Sequence, residues 1–349
     1  MISVGVTPAE PAAGPATGPA AVVAAAADRG GAGARAHATR TALIALGSAL
    51  MLGALIWLAF ELAAATEDEG ERARQMTFVL VGAGPTGVEL AASLAHLVKV
   101  TLRDNFHHID PAKASIILLD AAKRVLPTFS ESISRRVAKR LAKLGVKVVT
   151  DVKVETVDGQ GVIYGGNRVS SATVLWTAGV VASPIPAMLG TKTDRAGRAL
   201  VDPFLKVADV SGVFVIGDAA SVIQDDHPVP GVAQAAIQEG RYVGRLIAKD
   251  LKGRKFNRPF RYFDKGNMAA VGKNYAVLER GWLRTSGFLT WLVWAFVHIL
   301  ALPQLQNRLR VQNQWFWSYF TGQRASRLIP ELPAVARADE SAHTALNVR

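Results

Sequence analysis

Three glycines, Gly82, Gly84 and Gly87, sit in the run GAGPTG, directly after the apolar stretch TFVLV and at the head of a helix-forming stretch. That arrangement grips a pyrophosphate: the first glycine allows the tight turn, the second lets the backbone approach the phosphates, and the third lets helix and strand pack closely. The free amides at the helix start then face the anion. A second apolar run, SIILL, ends in Asp120. A carboxylate there would accept both ribose hydroxyls and repel a 2′-phosphate, favouring NADH over NADPH. Its distance from the glycines exceeds the usual spacing because TLRDNFHHIDPAKA intervenes, and a strand-end Asp that caps a turn is the alternative reading. His107 and His108 lie in that insert; adjacent side chains point apart and no ligand spacing follows, so no metal site is expected. Farther on, the apolar run GVFVI ends in Gly217-Asp218, which sets one carboxylate where it can bind a polyol or, alternatively, cap a helix.

The surrounding elements must hold these residues. A strand at TFVLV, a helix from about residue 86 to 100, a strand at SIILL and an amphipathic helix from 131 to a glycine stop at 145 read as an α/β nucleotide layer. VKVVTDVKVETVDGQGVIYGG alternates with Gly-rich turns and predicts short antiparallel strands, and a helix is expected from about 232 to 252. Residues 1–40 are Ala-, Gly- and Pro-rich and are expected to lack structure, as is the tail at 331–349. Residues 61–75 read as one solvated helix. Residues 41–60, TALIALGSALMLGALIWLAF, carry no charge until Glu61 and have the length of a transmembrane span, with Arg35 and Arg40 favouring a cytoplasmic N-terminus. A secretory signal is the competing interpretation of that run, but it would deliver a nucleotide domain to a compartment without nucleotide.

The chain has 349 residues, half of them apolar, and no cysteine, which excludes disulfide scaffolds, thiolate metal sites and redox dithiols. Electron chemistry would therefore need a bound organic cofactor. Of the net charge of +12, the segment 241–330 carries all: 16 Lys/Arg against 3 Asp/Glu, with five of the seven tryptophans. Basic residues among Trp and long apolar runs suit an anionic membrane surface and not nucleic acid. The run from Phe288 to Leu302 is short for a span, so a helix lying in the interface is expected, with a homodimer contact as the alternative.

The segments TFVLVGAGPTGVELAASLAHL, RVLPTF, VLWTAGVVASP, GVFVIGDAA, VAQAAIQEGRYV and NRLRVQNQWFWSYFTGQRASRLI, in this order, resemble the type II NADH:quinone oxidoreductases, from about residue 58 to 329. The resemblance implies an α/β fold with two dinucleotide-binding domains, one for NADH and one for FAD, and C-terminal amphipathic membrane helices. It implies hydride transfer from NADH through FAD to a membrane quinone without proton pumping, at the cytoplasmic face of the cell membrane. NADH would bind at Gly82, Gly84, Gly87 and Asp120, with Glu89 near the nicotinamide and flavin rings and Ala178-Gly179 close to the same junction. Gly217 and Asp218 would hold the ribityl chain of FAD, and Gln234 and Gln238 would edge the flavin where quinone arrives. The domains expected are 61–180 for NADH, 181–254 for the C-terminal half of the FAD domain and 255–330 for membrane association.

In that family the flavin fingerprint precedes the NADH one, whereas here the fingerprint at Gly82 stands first. The chain alone is therefore expected to hold FAD weakly, and an NADH-binding remnant without catalysis of its own is the alternative function. LAFELAAATEDEGERARQ also resembles the helix that precedes the NADH domain in the family. The apolar stretch 41–60 then reads either as a misassigned start running into a soluble helix or as an acquired anchor.

Overall fold

The computed structural model describes residues 3–5 and 52–321, apart from residues 104, 180, 181, 209, 255 and 303. In chain order come strand β1 (Ser3–Gly5), helix α1 (residues 52–65), α2 (Glu69–Gln75), β2 (Thr77–Val81), α3 (Pro85–His96), β3 (Ser115–Leu119), α4 (Glu131–Lys143) and β4 (Val146–Val149). A meander of β5 (Val154–Asp158), β6 (Gly161–Tyr164) and β7 (Asn167–Ser170) leads to β8 (Thr173–Trp176). The main sheet has the order β1-β8-β2-β3-β4; all neighbours are parallel except β1, which runs antiparallel to β8. Residues 3–5 are thus paired, inside the 1–40 stretch expected to lack structure; the rest of that stretch and the tail 331–349 lie outside the described residues.

Phe78–Val81 of β2 and Ile116–Leu119 of β3 are buried without alternation, as parallel strands covered on both faces require. On one face α1, α3 and α4 close a core that includes Phe60, Phe78, Leu80, Val88, Leu118 and Ile133. On the other, the meander contributes Val162 against Val79, Val81, Ile117 and Leu119. Helix α4 carries its buried residues Ile133, Val137 and Leu141 at four-residue spacing, and the chain leaves it through Gly145 at φ 84°.

The helix at 52–65 corrects the transmembrane reading over its described part. Ile56, Ala59, Phe60 and Ala63 are buried in the nucleotide-layer core, and the Phe60 ring lies 5.6 Å from that of Phe78. Among the described residues no helix is long and apolar enough to cross a membrane. Residues 41–51 lie outside the described residues. The solvated helix expected over 61–75 is instead two helices, because Asp68 caps α2 by accepting the Gly70 N–H at 2.7 Å and the Glu71 N–H at 3.3 Å.

A smaller unit follows β8. Helix α5 (Ile185–Met188), the parallel pair β9 (Ala199–Leu200) and β10 (Ala220–Ser221), the hairpin β11 (Ile223–Gln224) and β12 (His227–Pro228), and helix α6 (Ala233–Asp250) enclose a second core. It includes Leu205, Val207, Val215, Ala235 and Val243. The antiparallel sheet β13 (Asn267–Ala270), β14 (Ala276–Arg280), β15 (Leu283–Gly287) then returns to the nucleotide layer. Ala269, Val271 and Val277 are buried in the core of α1, α3 and α4. Glu279 accepts the Ser130 N–H at the head of α4 at 2.7 Å. The buried core of the nucleotide layer thus extends beyond 61–180 on both sides, and residues 267–287, expected within a membrane-associating region, belong to it. Last come α7 (Phe288–Ala301) and α8 (Leu305–Thr321), joined by Trp294 stacked on Trp315 with centroids 5.7 Å apart.

Candidate dinucleotide and flavin site

The glycine turn leaves β2 at its C-terminal end, the end where parallel α/β sheets bind ligands. Gly82 has φ 108°, and a Cβ there would lie 2.7 Å from the Ala178 nitrogen. At Gly87 a Cβ would meet the Gly82 carbonyl oxygen at 1.8 Å, so only glycine lets α3 sit this close to the turn. Gly84 differs from both. It has an ordinary φ of −68°, no atom stands within 4 Å of where its Cβ would be, and it is the N-cap of α3 without any side-chain cap. The open space over Gly84 and the uncapped amides behind it leave room for an anion.

Asp120 stands beside this turn. One carboxylate oxygen accepts the Ala83 N–H of the glycine turn, and the other accepts the Ala122 N–H at 2.6 Å. A carboxylate has about four acceptor sites, so about two remain for ribose hydroxyls. Ala178 and Gly179 follow β8 and pack over the turn, with Gly179 at φ 71° and the Trp176 indole donating to the Ala178 carbonyl at 2.6 Å. Thr177, not singled out by the sequence, donates its hydroxyl to the Val81 and Gly82 carbonyls, both at 2.9 Å, and so fixes β8 against the turn. Gly82, Gly84, Gly87, Asp120, Ala178 and Gly179 therefore meet at one end of one sheet.

Glu89 lies farther along α3, half-buried, and accepts the Ala270 N–H of β13 at 2.9 Å. Burial pushes its carboxyl above the usual range, against the opposing pull of the Ala270 N–H and of His298 on α7. Gln234 and Gln238 both use their amides to hold the 263–266 backbone. Gln238 donates to the Phe263 carbonyl at 2.9 Å and accepts the Phe263 N–H at 3.0 Å, an arrangement like one rung of a β-ladder. Gln234 donates to the Gly266 carbonyl at 3.2 Å and accepts the Lys265 N–H at 3.1 Å. The segment 263–270 is thus bonded to α6 at its start and to Glu89 of α3 at its end, and it joins the two units.

Gly217 and Asp218 line a cavity of about 150 Å³ together with Arg198, Gly231, Ala236 and Glu239. Gly217 has φ 67°, and its N–H donates to Glu239 Oε2 at 2.5 Å. Glu239 is 2% exposed. Burial raises its pKa and neighbouring Asp218 raises it further, against the pull of the Gly217 N–H. Sequence gave no signal for Glu239, because an acid in QEGR reads as a solvated helix position. Asp218 is exposed. These residues fit the polyol part of FAD: an accessible carboxylate, a glycine turn and a cavity smaller than the roughly 300–1,000 Å³ of a pocket for a whole drug-sized ligand. His107 and His108 lie in the bends of the insert, and among the described residues no acid and histidine cluster could hold a metal.

A parallel sheet with a glycine turn at its C-terminal end, a meander on its far face and a second unit with its own Gly-Asp turn defines a two-unit dinucleotide-binding architecture. The chain belongs to the pyridine nucleotide-disulphide oxidoreductase family, whose model matches residues 19–240. Among its relatives are two proteins of Mycobacterium tuberculosis, the type II NADH:quinone oxidoreductases Ndh and NdhA. The first is 40% identical over 83% of this chain and 64% of its own length, the second 39% identical over 83% and 63%. The likeness to type II NADH:quinone oxidoreductases read from the sequence motifs is thereby borne out. The chain spans a little under two thirds of these relatives. The structure of NDH2 from Plasmodium falciparum in complex with NADH superposes with a TM-score of 0.68 at 19% identity, covering 77% of this chain and 70% of that one, and shares its fold.

Proposed function

We propose that the chain oxidises NADH and passes the electrons through FAD to a membrane quinone. The observation that carries this reading is the segment 263–270, which bonds Gln238 and Gln234 of α6 at one end and Glu89 of α3 at the other. It links α3, the helix that follows the nucleotide turn, to α6, whose Glu239 accepts the Gly217 N–H. In this reading the amides behind Gly84 bind the NADH pyrophosphate, Asp120 holds the adenosine ribose, and Ala178-Gly179 bound the path to the nicotinamide. Asp218 binds the ribityl hydroxyls, and Glu239 keeps the Gly217 turn in its positive-φ form. FAD, when bound, supplies the hydride acceptance and the delivery of two electrons. Glu89, half-buried and with its carboxyl pushed above the usual range by burial, is the group suited to influence proton transfer close to that junction. The glutamines act through the 263–266 backbone, which they keep at the edge of the quinone approach.

The two C-terminal helices support the membrane part of the reading. Helix α7 exposes Leu289, Leu292, Phe296 and Leu300 along one side, with Leu289 at 76%, and α8 exposes Leu305, Leu309, Phe316 and Phe320. At 14 residues α7 measures about 21 Å, less than a roughly 30 Å hydrocarbon core, which suits a helix lying in the interface at the cytoplasmic face. The test is reconstitution of the purified full chain with FAD, followed by NADH oxidation with a soluble quinone. Turnover that depends on FAD kept in excess, with NADH preferred over NADPH, is expected. NADH binding without turnover even in excess FAD would leave a nucleotide-binding remnant instead.

A further inference from the structure

Helix α6 and the segment that follows it form an open groove of about 760 Å³, which reaches Gln238 at one end and is lined beyond it by residues with no part in the redox site. Arg241, Arg245 and Lys249 line it from the helix, and Lys252 from the turn that ends it. The four-residue spacing of the first three sets them on one helix face over about 12 Å. Arg254, Arg258 and Arg261 line it from the segment, and no acidic residue does. Of these seven cations only Arg261 is ion-paired among the described residues, to the exposed Asp225 at 3.2 Å. Like charges at such helical spacing destabilise a helix, and among the described residues no ion pair on Arg241, Arg245 or Lys249 offsets that cost.

The groove is also built. Tyr242 packs its ring 5.5 Å from both Phe256 and Phe260, and its hydroxyl donates to the Arg258 carbonyl at 2.8 Å. The Lys249 ammonium sits 4.6 Å from the Phe256 ring centroid. Those contacts fasten the 254–261 segment beside α6 and hold the two rows of cations facing one space. The chemistry on offer is several fixed positive charges for several closely spaced phosphates.

We infer that this groove is a docking site for the phosphate headgroups of anionic phospholipid, made by Arg241, Arg245 and Lys249 of α6 and Lys252 of the turn after it, facing Arg254, Arg258 and Arg261. The choice of a lipid over a soluble polyphosphate or a nucleic acid rests on the membrane reading above, since the same chain continues into the apolar exposed faces of α7 and α8. The groove adds a headgroup-specific contact to their nonspecific apolar one.

The test is co-sedimentation of the FAD-reconstituted full chain with vesicles of phosphatidylcholine, alone or with phosphatidylglycerol. The pair Arg245→Glu and Lys249→Glu alters the groove. Lys139→Glu with Lys143→Glu makes the same charge change on an exposed face of α4. Each surface cation contributes about fivefold to binding of an anionic bilayer, so the groove pair is expected to weaken it by about 25-fold or more. The α4 pair should leave it nearly unchanged, and binding to phosphatidylcholine should not move in either. The milder Arg245→Gln with Lys249→Gln gives the same ordering if the reversal impairs folding. Equal losses in the two pairs would reduce the effect to net charge and overturn the site. Retention of vesicle binding by the groove pair would overturn it too, as would displacement of wild-type chain from vesicles by inorganic tripolyphosphate or an oligonucleotide at equal phosphate concentration. NADH oxidation with soluble quinone, measured in parallel, should be equal in all variants; its absence from all of them would count against the redox function and leave the groove result standing.

Discussion

At Asp120 the carboxylate already accepts two amides of its own turns, Ala83 and Ala122, so the residue braces the glycine turn and, in the proposed reading, also holds the ribose. Replacing it with Asn keeps the size and removes the charge that repels a 2′-phosphate. Asp120→Asn is expected to bring the ratio of NADH to NADPH affinities down by about tenfold, a change of about 1.4 kcal/mol, measured by titration of each nucleotide. The two buried acids make a prediction about pH. Burial raises the carboxyl pKa of both Glu89 and Glu239 in the folded chain. The folded state therefore binds more protons than the unfolded one between the unfolded value, about 4.3, and the raised folded value, and stability falls as pH rises through that window. Glu239→Gln, which can still accept the Gly217 N–H, is expected to raise the melting temperature by about a few degrees at pH 7.5 and to flatten its decline with pH. A lower melting temperature at pH 7.5 would mean that the charged form is favoured there. Residues such as Gly82 and Asp120 are legible because a turn of fixed geometry demands them. Glu239 and Thr177 are not, because each acts through hydrogen bonds to residues distant in sequence.

Among the elements, the strand, turn and helix at 77–96 and the amphipathic α4 are plain from apolar spacing and the glycines that end them. The sheet β13–β15 is not. Its strands lie in a segment whose cationic and Trp-rich composition suggests a surface, while only Ala269, Val271, Val277 and their neighbours reach the core. Helix α1 misleads for the opposite reason. A helix buried on one side and an apolar span share composition, and the difference lies in what covers Ile56 and Phe60, which a single sequence does not state. The β13–β15 sheet is fastened by Glu279, which accepts the Ser130 N–H and pairs with Arg284 at 3.2 Å. Burial opposes its charge, yet the Ser130 and Arg284 contacts together hold its carboxyl below the ordinary range. Glu279→Ala removes the bond between this sheet and the head of α4. It is expected to destabilise the chain by about 1–2 kcal/mol in urea denaturation, and Glu279→Gln by less. The two glutamines of α6 act at the same scale. Gln238→Ala breaks the paired bonds to Phe263, and its expected signature is slower turnover with quinone while NADH affinity is kept, since the nucleotide turn is untouched.

Across the whole molecule, two turns that carry glycine and an acid, Gly82 with Asp120 and Gly217 with Asp218, stand in two packed units joined by 263–270. The family follows from that arrangement and from the matched model. The assignment of donor to the first turn and flavin to the second is the claim on which the proposed reaction depends. Gly84 offers the cleanest test, because a Cβ there has no atom of the folded chain within 4 Å and the backbone is ordinary. Gly84→Val should therefore leave the melting temperature nearly unchanged while its methyl groups occupy the space over the α3 amides. Titration of the full-length variant with NADH and, separately, with FAD decides the matter. The account expects NADH affinity to fall by about tenfold or more with FAD affinity unchanged; loss of FAD affinity with NADH binding intact would contradict it.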